Sequence, residues 1–237
     1  MTKQIPIKGD VVDNMTGSFY EFFGMPSVYP SSIEQALANG SPTEDVELNV
    51  ASNGGDVFAA SEIYTMLKNY QGNVTVNVQG IAASAASVIT MAGDTVNISP
   101  TAQIMIHKAW ENVQGNADDL AHESTVMDNI DQSIVAAYEA KTGMKQSDLL
   151  QLMSNETWLT AKQAVDKGFA DSIMFVDEKQ PQVVNSVSHI PSKKAINKFL
   201  NLIAKAESKP EPPKQNNEDT KKAQLLKEKL NYLFAQN

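Results

Sequence analysis

The chain has no cysteine. That removes disulfides, a thiolate nucleophile and thiolate metal ligation together. It also has no arginine, because all 19 basic residues are lysines. Bidentate guanidinium contacts are therefore outside its repertoire. Histidine is scarce: only His107, His122 and His189 occur. No two of them stand three or four residues apart, and there is no H-E-x-x-H, so they form no metal-ligand pattern. Long apolar runs are missing too. The least polar stretch, Ile81 to Gly93, falls short of the roughly 20 residues a bilayer span needs. The start, Met1-Thr2-Lys3-Gln4, leads into Ile5-Pro6-Ile7-Lys8-Gly9 and not into the apolar core of a signal peptide. The expectation is a cytoplasmic protein with no metal, no cofactor and no membrane partner.

What is present is unevenly charged. Residues 1–175 carry 8 Lys against 21 Asp and Glu, a net of -13; residues 176–237 carry 11 against 7, a net of +4, and the two sum to the formal -9. An acidic body argues against nucleic acid as the main partner. The basic tail reads first as a solvated lysine-rich segment, with an acidic docking surface as the alternative.

With 237 residues, 42% of them hydrophobic, the chain can fold one domain of ordinary size and carry an appendage. The body alternates strand and helix. Val46 to Val50 alternates apolar and polar as a strand does, Asn53-Gly54-Gly55-Asp56 reads as a turn, and Val57, Ala60, Ile63, Tyr64 and Leu67 recur at helical spacing. Val74 to Val78 is a second strand, broken by Gly80, and Ala82 to Ala92 reads as a helix of small residues. Ile104, Met105 and Ile106 form a third strand ending at His107. A long helix is predicted from Ala117 to Lys141, stopped by Gly143. Shorter helices follow at Ser147 to Met153, capped by Ser147, and at Thr160 to Lys167, capped by Thr160 and ended by Gly168. Ser32 to Ala38 suggests another. Successive strand–turn–helix units predict an α/β domain with parallel strands over residues 1–175. Beyond it lie an amphipathic extension (176–206), a Pro/Glu/Lys-rich linker (207–220) and a C-terminal amphipathic helix (221–237). Their apolar stripes would bury against the body or against a partner.

Two stretches can carry chemistry. Gly80-Ile81-Ala82-Ala83-Ser84-Ala85-Ala86-Ser87 puts a serine between a strand and a helix, where backbone N–H groups converge and favour negative charge. That suits a nucleophile beside an oxyanion hole, although read alone an Ala/Ser-rich segment is more often a close-packed helix. Asn53-Gly54-Gly55 is a glycine-rich strand exit that lets backbone approach a ligand, or is simply a turn.

Taken together and in order, the motifs resemble the proteolytic subunit of Clp protease. Ser52-Asn53-Gly54-Gly55 is similar to that family's glycine turn, without its proline. Gly80 to Ser84 is similar to the segment holding its nucleophile, and Met105-Ile106-His107 to the segment holding its base. Ala164 to Ile173 resembles its closing helix and strand. The resemblance covers about residues 45 to 175. It implies the Clp/crotonase-like fold of strand-strand-helix repeats, with a long protruding helix for oligomerisation. It also implies a serine endopeptidase with Ser84 as nucleophile, His107 as base and the Gly55 and Ala85 N–H groups as oxyanion hole. The third member aligns with Glu156, ahead of Trp158-Leu159-Thr160-Ala161, where the family has aspartate. Asp166 and Asp171 are the fallbacks, and an exposed carboxylate near a helix cap is the plain alternative for Glu156.

The same resemblance implies a homo-oligomeric ring acting on protein or peptide substrates. The absence of arginine argues against the standard double-ring contact. The Glu-Thr-Trp-Leu-Thr-Ala wording and the long tail resemble most the Clp-related head-maturation proteases of tailed phages. That implies cleavage of capsid or scaffold proteins in the host cytoplasm, in association with procapsids. The rivals are a housekeeping peptidase partnered by an ATP-dependent unfoldase, a crotonase-fold acyl-CoA enzyme, and an inactive structural ring.

Overall fold

Alternation in Val46-Glu47-Leu48-Asn49-Val50 does make a strand, and that strand goes further than the pattern indicates. In the computed structural model, which describes residues 2–176 and the isolated positions 199, 203, 224, 227 and 228, β3 runs Val46–Gly55. The predicted turn at Asn53-Gly54-Gly55 is thus the end of the strand. It is held there by β1 (Lys3–Val11), whose Asp10 and Val11 pair with Gly54 and Gly55. The glycines absorb a backbone that other residues resist: φ is +94° at Gly54 and +148° at Gly55. A Cβ on Gly55 would stand 2.1 Å from the Val11 carbonyl oxygen.

β1 contains Pro6, a residue that argues against a strand. Proline fits because β1 has β3 on one side there, while β2 (Ser27–Val28) pairs only with Asp10 and Val11 on the other. The missing N–H faces no neighbouring strand. Between β1 and β2 the aromatic stretch forms α1 (Asn14–Phe22), N-capped by the Asp13 carboxylate. Two of its hydrogen bonds are from Thr16, and they hold the Asp13 carboxyl below its ordinary pKa. The helix α2 (Pro30–Ala38) follows, covering the predicted Ser32 to Ala38.

The helix at Val57 is α3 (Val57–Lys68), with the Asp56 carboxylate accepting from Ala59 N–H at its start. Next comes β4 (Val74–Ala83), which passes through Gly80 and does not stop there. Its first half pairs with β5 (Thr95–Ile98), and residues 81–83 pair with β6 (Gln103–Ile106). A new partner beyond Gly80 keeps the backbone bonded, so the glycine marks a change of neighbour. The helix of small residues shortens accordingly to α4 (Ala85–Thr90), every residue of which is buried.

α5 (Ala117–Thr142) matches the predicted long helix, capped by Asn116 and ended by Gly143 in the left-handed conformation. α6 (Gln146–Ser154) begins after Lys145, one residue before the expected Ser147 cap, and no side chain caps it. The last elements are β7 (Thr157–Thr160), α7 (Ala161–Asp166) and β8 (Ser172–Ile173). Thr160 caps α7 as expected, within a capping box completed by Gln163.

Among the described residues the sheet has eight strands, in the order β2-β1-β3-β4-β5-β8, with β6 bonded to the far end of β4 and β7 to β6. All pairs are parallel except β6–β7. This is the expected α/β fold. The C-terminal ends of β1, β3 and β4 lie side by side, which is where open α/β sheets place their sites. No described helix is long and apolar enough to cross a membrane. The predicted linker at 207–220 and nearly all of the segments at 176–206 and 221–237 lie outside the described residues, as does His189.

Substituting Gly55→Ala should lower unfolding free energy by about 2 kcal/mol, since it combines a strained φ with a clash against rigid backbone. Urea unfolding of the two chains measures this directly.

Candidate active site

Ser84 stands at the joint between β4 and α4 with φ +53° and ψ -125°, a backbone that L-residues rarely adopt. Strain of this kind costs on the order of 1–3 kcal/mol and needs surroundings that hold it. Here they do. Ser84 N–H donates to the Met105 carbonyl at 2.9 Å. Its own carbonyl accepts from Ser87 N–H at 2.9 Å and from Ser87 Oγ at 2.6 Å. Gly54 packs against the same turn so closely that a Cβ there would lie 2.6 Å from the Ala83 oxygen and 2.8 Å from the Ser84 Cβ.

His107 follows the last residue of β6, two positions after the Met105 carbonyl that fixes Ser84. Its Nε2 lies 2.7 Å from Ser84 Oγ. The separation suits proton transfer from hydroxyl to imidazole. Ser84, His107, Gly55 and Ala85 all line one cleft of about 590 Å³. Ala85 is the first residue of α4, so its N–H has no acceptor within the helix. Val88, Ile134 and Tyr138 form an apolar wall of the cleft, and the exposed Phe58 and Trp110 stand at it too.

The carboxylates are arranged differently. The β6–β7 ladder pairs Met105 with Trp158 and ends at Ile106 with Thr157, which leaves His107 and Glu156 each one residue beyond its last pair. Glu156 has φ +45°, and its carboxylate accepts from Trp158 Nε1 at 3.2 Å. Asp166 binds Lys162 at 2.6 Å. Asp171 accepts from Lys141 Nζ at 2.8 Å and from Val96 N–H at 2.6 Å. Among the described residues, none of the three is hydrogen-bonded to His107. Serine and histidine are therefore brought together, while Glu156 is turned to another partner. His122 lies exposed on α5, away from this cleft's lining.

Two groups behind the site were not singled out from the sequence. Ser87 gives its proton to the Ser84 carbonyl, so its oxygen is free to accept from the Tyr138 hydroxyl at 2.8 Å. Burial pushes the Tyr138 phenol far above its ordinary pKa, which keeps that donor protonated. The other is Asp131, buried on α5. A signal existed: Met127, Ile130, Ile134, Val135 and Tyr138 form a helical apolar stripe, and Asp131 interrupts it.

The Clp protease family model matches residues 32–177. The chain belongs to the Clp protease family. This makes it a peptidase, of the serine type. Among relatives of this Clp-family chain is the ATP-dependent Clp protease proteolytic subunit of Deinococcus radiodurans, 26% identical over 140 residues, 58% of this chain and 69% of the relative. The subunit of the same name from Porphyromonas gingivalis is 26% identical over 157 residues, covering 64% and 71%. Proteolytic subunit 3 of Rhodococcus jostii is 27% identical over 141 residues, covering 58% and 69%.

The strained turn has a measurable signature. Ser84→Gly and Ser84→Ala both remove the hydroxyl, but only glycine accepts the positive φ without cost. The glycine chain should be the more stable by about 1 kcal/mol, the reverse of the usual preference in regular structure. Paired thermal and urea melts test it. Tyr138→Phe should cost about 1 kcal/mol by leaving Ser87 without its donor.

Proposed function

We propose that this Clp-family chain is an endopeptidase working through an acyl-enzyme on Ser84. The observation that carries the reading is the 2.7 Å approach of His107 Nε2 to Ser84 Oγ on the wall of a cleft. His107 takes the hydroxyl proton as Oγ bonds to the substrate carbonyl carbon. The oxyanion that develops is received by the Gly55 and Ala85 N–H groups. The C–N bond then breaks as His107 returns the proton to the leaving amine. Water, deprotonated by the same imidazole, bonds to the acyl carbon; the bond to Oγ then breaks as His107 returns the proton to Ser84.

Glu156 is proposed as the acid that orients His107. Its register position supports this, and its exposed bond to Trp158 costs little to exchange, on the order of 1 kcal/mol. No cofactor enters the scheme.

Substrates are proposed to be capsid or scaffold proteins cut during phage head maturation, in the host cytoplasm at the procapsid, by a homo-oligomeric ring. The Glu156 to Ala161 wording and the basic segment beyond the family match support this. The names of the relatives favour a second reading, a housekeeping peptidase fed by an ATP-dependent unfoldase.

A fluorophosphonate probe should label the wild type, leave Ser84→Ala unlabelled, and react at least about tenfold more slowly with His107→Ala and Glu156→Ala. Full reactivity of the Glu156 variant would remove it from the triad and leave the serine–histidine pair standing. Incubation with capsid and scaffold proteins should give discrete fragments without ATP. Degradation that appears only with an unfoldase and ATP would assign the second reading.

A further inference from the structure

Asp131 is the one charged residue among the buried side chains of the described residues, at 3% exposure. A buried carboxylate is stable only when its oxygens are matched by donors and its charge is paired. Both conditions are met by residues directly after His107. Asp131 Oδ1 accepts from Ala109 N–H at 2.8 Å, and Oδ2 pairs with Lys108 Nζ at 3.2 Å. Lys108 also reaches the exposed Asp128, at 3.8 Å.

The placement matters because His107 is outside the sheet. β6 ends at Ile106, and residues 107–116 have no regular structure. No ladder bond fixes the backbone on that side of the imidazole. Asp131 provides the fixed point. It sits on the same face of α5 as Tyr138, two turns away, where seven residues bring a helix nearly full circle. Tyr138 holds the Ser84 turn through Ser87; Asp131 holds the chain leaving His107.

We propose that Asp131 is a positioning residue for His107, clamping Lys108 and Ala109 so that the imidazole stays at Ser84. This rests on the reading of Ser84 and His107 as the reacting pair.

The test uses full-length chains and the fluorophosphonate probe, separating the maximal labelling rate from the half-saturating concentration, with thermal unfolding alongside. Asp131→Ala should lower the maximal rate about tenfold or more per folded molecule and move half-saturation less than about twofold. Asp131→Asn keeps an acceptor for Ala109 N–H and should recover most of the rate. Asp131→Leu fills the space without an acceptor and stands in for the alanine chain where that fails to fold; it should label as slowly. A wild-type rate in the alanine or leucine chain, whatever its melting temperature, overturns the proposal, as does an asparagine chain no faster than they are. Labelling that survives Ser84→Ala overturns the reading of the site, and this inference with it.

Discussion

The rest of the site depends on the backbone of Ser84 being held at φ +53°. An ordinary strand-to-helix passage would relax such a residue, and the hydroxyl would then swing away from His107. Three elements prevent this. β6 bonds the Ser84 N–H through Met105, α4 bonds its carbonyl through Ser87, and β3 closes on the turn from the side through Gly54. Each of the three hydrogen bonds among these contacts is worth about 1 kcal/mol in net terms. Together they match strain of on the order of 1–3 kcal/mol. The reactive geometry is thus carried by the packed body of the domain and not by a loop.

α5 adds the second dimension of control. Its N-terminal part is exposed, while its buried residues between Asp131 and Tyr138 lie behind the cleft. The distance between Ser84 and His107 is set by two chain segments of different origin, one leaving β4 and one leaving β6. A rigid rod touching both is an economical way to fix such a distance. Tyr138 and Asp131 are the points of contact, and both are polar groups in an apolar stripe. Their directionality is what hydrophobic packing alone cannot supply.

Much of this was legible in the residues. Apolar–polar alternation located β3, helical spacing located α3, Gly143 marked the end of α5, and the ordered motifs pointed to Ser84 and His107. What escaped notice did so for physical reasons. Pro6 hides β1 because a pattern cannot show that one side of a strand has no neighbour. Gly80 looked like a strand end because local signals do not reveal that β6 will offer 81–83 a new ladder. Gly54 and Gly55 looked like a turn because strand-compatible positive φ needs β1 alongside to explain it. Ser87 was invisible as a functional group, since its role comes from a hydroxyl 51 residues away on Tyr138. Glu156 was named from the wording around it, but its orientation was not legible: it lies one residue beyond the last β6–β7 pair, and its carboxylate meets the Trp158 indole.

The lack of arginine bears on the last point of design. A guanidinium would fix a carboxylate through two parallel bonds, whereas lysine offers a single mobile charge. Asp131 answers this by using Lys108 for charge and a backbone N–H for direction, so that geometry is set by Ala109 and not by the flexible ammonium. Asp171 does the same with Lys141 and Val96 N–H. In both places the lysine neutralises and the main chain aims. A chain confined to lysine can therefore keep its carboxylates oriented, provided each lies close to a backbone donor. The Glu156 carboxylate has a side-chain donor instead, the Trp158 indole, and that makes it the member of the proposed triad most free to turn.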